Sequence, residues 1–163
     1  MSWFGCSVWV SFVAGLVMFK NLPRHVFGRL QSKLFPAYFL FSALMIGLSI
    51  LSASALSETW QQAYKIPLAS ILMTILANVV YLEPKTTEVM FERHVVERKL
   101  GTGQEVGIIK PKDSKIANDP ELKALSKKFG MLHGMSTLMN LAALGVGCYW
   151  VNFLTQQMVI PQE

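Results

Sequence analysis

Four long stretches without an Asp, Glu, Lys or Arg constrain this chain more than any other feature. They cover residues 3–19, 36–56, 66–82 and about 130–159 of 163. A helix rises about 1.5 Å per residue and the hydrocarbon core of a bilayer is about 30 Å thick, so about twenty apolar residues make one crossing. The second block is long enough. The first and third just reach, and the fourth is long enough to tilt or to run past the interface. The pattern predicts an all-α membrane protein: a bundle of four transmembrane helices forming a single membrane domain over residues 1–163, with a polar loop at 83–129.

Charge is sorted around these blocks. Only 15% of residues are charged while 52% are hydrophobic, against about a quarter charged in an ordinary soluble domain. The net charge is +5. Fourteen of the fifteen Lys and Arg lie in two connectors, residues 20–35 and 83–129. With four spans these connectors share one side, and the positive-inside rule makes that side cytoplasmic or its equivalent in an organelle. The same placement explains the basic balance by lipid headgroups rather than nucleic acid: Arg24, Arg29 and Lys33 sit between two spans, where anionic lipids attract them. A signal peptide fits the first block poorly, because no basic residue precedes it and Lys20, Arg24 and Arg29 follow it. Trp3, Trp9, Trp60, Tyr64, Tyr81 and Trp150 include several residues near span ends, as interface anchors do. The compartment, whether endomembrane, plasma membrane or organelle, is not encoded in any signal.

The connectors carry helical patterns of their own. Leu22, Val26, Leu30 and Leu34 recur every four residues, which predicts an amphipathic helix lying in the headgroup layer between spans 1 and 2. Pro36 suits the first turn of span 2. After Pro84, residues 86–100 predict a second helix, with Arg93 and Glu97 at i, i+4 spacing. Gly101-Thr102-Gly103 should end it, and residues 104–118 read as an exposed loop. Asp119-Pro120-Glu121 combines a cap, a first-turn proline and a dipole-matching acid, and starts a helix that continues into span 4.

Polar groups at membrane depth need partners, so they mark candidate sites. His133, Ser136 and Asn140 line one face of span 4 at i, i+3, i+7. Asn78 and Glu83 fall at the end of span 3, and Arg24 and His25 at the same surface. One polar cluster is therefore expected from Arg24, His25, Asn78, Glu83, His133, Ser136 and Asn140, either as inter-helix hydrogen bonds or as a ligand, ion or proton site. Gly130, Gly134 and Gly145 predict close helix packing, within the chain or between copies. Cys6 and Cys148 read as small packing residues. No pair of histidines has i, i+4 spacing, and there is no Cys-x-x-Cys, phosphate-binding loop or nucleophile elbow. No catalytic residue, cofactor or metal is therefore expected, although His25 and His133 would be the pair to hold a haem or metal.

Three stretches carry a family likeness. They are Leu22-Pro23-Arg24-His25 with Phe27-Gly28, Gln31-Ser32-Lys33-Leu34-Phe35-Pro36 and Tyr38-Phe39; Leu82-Glu83-Pro84 with Thr86-Thr87 and Met90; and His133-Gly134 with Ser136 and Asn140-Leu141. In these the chain resembles the transmembrane protein 205 family. The resemblance implies a four-span membrane protein and brings no catalytic residues with it. Members of that family usually carry additional residues ahead of the Trp9-Val10 region, so a short first helix or a truncated N-terminus is expected here.

The leading functional expectation is a non-enzymatic structural or accessory component. It would contact membrane lipids and pack against itself or a larger membrane complex. A small-molecule or ion transporter using the polar cluster is the alternative, and a haem- or metal-dependent enzyme the third.

Overall fold

The computed structural model describes residues 2–55, 58–107, 116 and 118–159, with side chains described outside 58–63 and 157–159. Four helices long and apolar enough to cross a membrane make up the bundle, and the chain is a multi-pass membrane protein. Helix α1 is Ser2–Asn21 and α2 is Arg24–Ala53. Helix α3 runs over 58–99, from Glu58–Ala77 through Asn78–Leu82 to Glu83–Lys99. Helix α4 is Pro120–Val159.

Two π-helical stretches interrupt the α register, Trp9–Ala14 in α1 and Asn78–Leu82 in α3. The second has a local cause. Pro84 has no N–H to donate, and just ahead of it the register slips by one residue, so that the Glu83 N–H donates to the Asn78 carbonyl.

Expected connector helices are present, but joined to the spans. Residues 24–35 do not form a separate helix on the membrane surface. They stand in line with span 2 inside one 30-residue helix, with Pro36 in its interior rather than its first turn. The buried face there is His25, Gly28 and Gln31, while Leu30 is exposed. This part of α2 packs closely on α3: a Cβ on Gly28 would meet the His94 ring and the Met90 sulfur, so the helices are nearly touching there. The helix after Pro84 is likewise continuous with span 3, and the helix opened by Asp119 runs unbroken through span 4. The Asp119 Oδ1 accepts from the Leu122 amide at 2.7 Å, which is the expected cap.

At about 1.5 Å per residue, the 30 residues of α2 and the 40 of α4 outrun a hydrocarbon core of about 30 Å. The two charged connectors meet at one end: Pro23 and Val106 form an antiparallel bridge. Both connectors therefore occupy the same side, as the charge pattern requires.

Two apolar clusters hold the bundle. Trp3, Tyr38, Phe39, Ile46, Leu68, Ile71, Ile75 and Ala143 join all four helices in the membrane. Leu82, Val89 and Leu132 join α3 to α4 toward the charged end. At the opposite end Tyr64 packs edge-on against Trp150 at 5.7 Å. Of the other expected anchors, Trp3 is buried, Trp9 and Tyr81 are exposed, and the Trp60 side chain lies outside the described residues.

Candidate functional site

The N-terminus of α2 creates the site. The first N–H groups of a helix have no partner within it, and Pro23, at the cap position, makes no side-chain cap. The loop after α3 supplies the acceptors instead. The Arg24 N–H donates to the Glu105 carbonyl at 3.0 Å and the His25 N–H to the Gly103 carbonyl at 3.1 Å. Such a tight return needs left-handed backbone, and Gly101 (φ 70°) and Gly103 (φ 100°) provide it. The Gly101-Thr102-Gly103 break thus does more than end a helix. Residues 102 and 103 are buried against α2, while in the loop expected from residue 104 onward Gln104 and Val106 are exposed and Glu105 and Gly107 half-buried. Residues 108–115 and 117 of the expected loop lie outside the described residues.

Side chains then close around this join. The His25 Nε2 lies 2.8 Å from Glu97 Oε2, with both residues buried. The other carboxylate oxygen of Glu97 is 3.3 Å from Arg93 Nε and 3.6 Å from Arg24 Nε. The Arg24 Nη2 donates to Glu105 Oε2 at 2.8 Å. The Glu105 carboxylate also accepts from the Thr102 hydroxyl at 2.6 Å and the Gly103 amide at 2.8 Å. Partial burial opposes ionisation of Glu105, but these donors and the Arg24 charge prevail and hold its carboxyl at about 2.

His94 completes the arrangement. Its ring centroid is 4.2 Å from that of His25, and it is 2% exposed. Burial, with His25, Arg93, Arg98 and Arg24 nearby, lowers its pKa to about 3, so the imidazole is neutral near pH 7. His25, His94 and Glu97 each offer a ligand atom, and the three atoms lie within 4.8 Å of one another.

The expected seven-residue cluster is divided among separate places. Arg24 and His25 belong to the site just described. Asn78 bonds Ser136, tying α3 to α4. Asn140 donates to Ser11 Oγ at 2.8 Å, and its Oδ1 lies 3.0 Å from the Tyr38 hydroxyl. That hydroxyl is also 2.9 Å from Ser7 Oγ, so α1, α2 and α4 meet at one knot. Glu83 accepts from Thr87 within α3. His133 is exposed and stacks on Phe129 at 5.5 Å; it does not meet His25. Phe129 also carries the Arg93 guanidinium 4.7 Å above its ring.

Sequence reasoning missed His94, Glu97 and Glu105 as partners of Arg24 and His25. His94 and Glu97 at i, i+3 share a helix face, which was a usable signal. A histidine pair at i, i+4 is absent here because the second histidine comes from another helix.

Of the two glycine readings, packing within the chain is not what the described residues show: among them a Cβ on Gly130, Gly134 or Gly145 would meet nothing within 4 Å. Gly147 does pack within the chain, against Trp3 and Phe4. A helix winds 100° per residue, and the aromatic residues of α1 approach α4 on the side of Gly147.

Residues 1–95 match the family described as a domain of unknown function (DUF4149). The chain is 33% identical to Transmembrane protein 205 of Danio rerio over 159 residues, covering 92% of this chain and 83% of that protein. The chain belongs to this family. The match to the family description includes His25 and His94 and ends before Glu97. No solved structure matches.

Proposed function

We propose that this member of the transmembrane protein 205 family is a non-enzymatic accessory component of the membrane. It associates through the outer face of α4, with a second copy or with a subunit of a larger complex. The carrying observation is the open small-residue face. Among the described residues, Gly130, Gly134 and Gly145 have no neighbour that an added Cβ would touch. Thr137, Leu141 and Cys148 share that face by helical spacing and are exposed. In lipid, helices associate by close van der Waals contact and hydrogen bonding, and small residues permit the approach. The internal polar pairs Asn78–Ser136 and Asn140–Ser11 support a fixed bundle as the platform.

Native mass measurement in mild detergent tests this reading, with the double variant Gly134→Leu, Gly145→Leu as comparison. The wild type is expected as a complex of fixed stoichiometry larger than the 18.2 kDa chain. The variant should lose the association and remain folded, since among the described residues the Cβ of each new side chain meets nothing within 4 Å. A lone wild-type monomer, or a complex indifferent to both substitutions, refutes it.

A further inference from the structure

We propose that His25, His94 and Glu97 bind one divalent transition-metal ion of the zinc class at the junction of α2 and α3. The reading is independent of the accessory role, because metal binding and association are measured separately.

The donor set is the first argument. Two imidazoles and one carboxylate suit zinc and its neighbours, leaving a further coordination position open. Calcium and magnesium prefer oxygen ligands and are poorly served here. The three ligand atoms already lie within 4.8 Å of one another, and His25 Nε2 and Glu97 Oε2 are 2.8 Å apart. Bonds of about 2.0–2.2 Å to one ion place such atoms roughly 3–3.5 Å apart. His94 has to approach by up to roughly 1–2 Å, and the His25–Glu97 pair has to open slightly from 2.8 Å.

Packing is the second argument. A Cβ on Gly103 would sit 2.0 Å from His25 Nε2, and one on Gly28 would sit 3.1 Å from His94 Nε2. Glycine at both positions lets the backbone close directly against the two imidazoles, which holds the rings side by side.

Orientation is the third. Arg93 and Arg24 approach Glu97 Oε1, which turns Oε2 toward His25. Gln104 Nε2 lies 3.5 Å from His25 Nδ1, on the far side of the ring from the ligand atom. Partners of this kind position metal ligands. The two guanidiniums oppose a dication, which sets the expected affinity in the micromolar range. Any proton on the liganding nitrogen of His25 must leave to solvent as the metal enters, so affinity falls with falling pH.

The experiment uses the full chain in detergent, with any affinity-tag histidines removed, stripped by chelator and titrated with Zn2+ by calorimetry and with Co2+ by visible spectroscopy. One Zn2+ per chain is expected, with a higher melting temperature and Co2+ ligand-field bands. His94→Gln should weaken binding roughly 100-fold or more, while His133→Gln, at the exposed histidine, should not change it. Absence of Zn2+ binding by the wild type at micromolar concentration overturns the proposal, as does unchanged binding by His94→Gln. X-ray absorption on the zinc-loaded wild type requires no variant. Two imidazole ligands are expected, and one or none also overturns it.

Discussion

His25 and Gly103 contact each other twice. The His25 amide donates to the Gly103 carbonyl at 3.1 Å, and the His25 imidazole occupies the place where a Cβ on Gly103 would be, 2.0 Å from Nε2. The backbone of the loop thus seals the N-terminus of α2 and one face of the buried ring together. This is possible only because residue 103 combines φ 100° with no side chain.

Gly103→Ala should therefore be costly in two ways, through backbone strain of about 1–3 kcal/mol and through displacement of the imidazole. Gly107 is the control, since its φ is 72° but a Cβ there meets nothing within 4 Å. Gly107→Ala is expected to cost about 1 kcal/mol through strain alone. Thermal melting in detergent compares them, and equal losses would reject the packing argument.

The pH dependence of stability follows from His94. Its folded pKa is about 3, lowered by burial and then by His25, Arg93, Arg98 and Arg24, against about 6.5 in an unfolded chain. Between these values the unfolded state binds a proton that the folded state does not. Stability should fall as pH drops below about 6.5, with a slope approaching 1.4 kcal/mol per pH unit, until the folded state also protonates near pH 3. Above pH 7 this contribution is constant. Denaturation between pH 7 and 5 measures it, and His94→Gln should flatten its share of the slope. A wild type equally stable at pH 7 and pH 5 contradicts the assignment.

Hydropathy and charge made the four spans legible, because a chain that crosses lipid must exclude charge from long stretches. The caps and breaks were legible as well: Asp119 caps α4, and Gly101 and Gly103 take the left-handed backbone. Continuity was not legible. Pro36 and Pro84 read locally as helix starts, yet packing against neighbouring helices carries α2 and α3 through both. The site was half legible. Arg24 and His25 were found from their place beside a span end, but Glu105 lies 81 residues from Arg24, and only folding brings such partners together. Asn78 and Ser136 were foreseen in one cluster with Asn140. They instead form a separate tie, because Asn140 is drawn to Tyr38 and Ser11.

The Tyr38–Asn140 contact should show measurable coupling. In lipid no water competes for these groups, although alternative partners limit the gain, and interhelical bonds contribute roughly 0.6–2 kcal/mol. A double-mutant cycle of Tyr38→Phe and Asn140→Leu should give a coupling energy in that range. Additive losses would show that Tyr38 gives its single proton to Ser7 alone, which also lies within hydrogen-bond distance at 2.9 Å.

Glu97 and Glu105 provide the sharpest contrast in the site, because both pair with Arg24 but in different surroundings. The Glu97 side chain is 3% exposed and faces Arg24, Arg93 and His25. Glu97→Gln removes the only carboxylate that faces both Arg93 and His25 among the described pairs, and leaves charge buried without compensation. Breaking such a pair costs roughly 3–5 kcal/mol. The Glu105 side chain is 30% exposed, so water can replace what Glu105→Gln removes, and the expected cost is about 1 kcal/mol. Hydrogen exchange locates the damage: the Arg24 and His25 amides, which the loop seals, should lose protection strongly in Glu97→Gln and weakly in Glu105→Gln. The reverse order would place the clasp at the exposed carboxylate and not at the buried one.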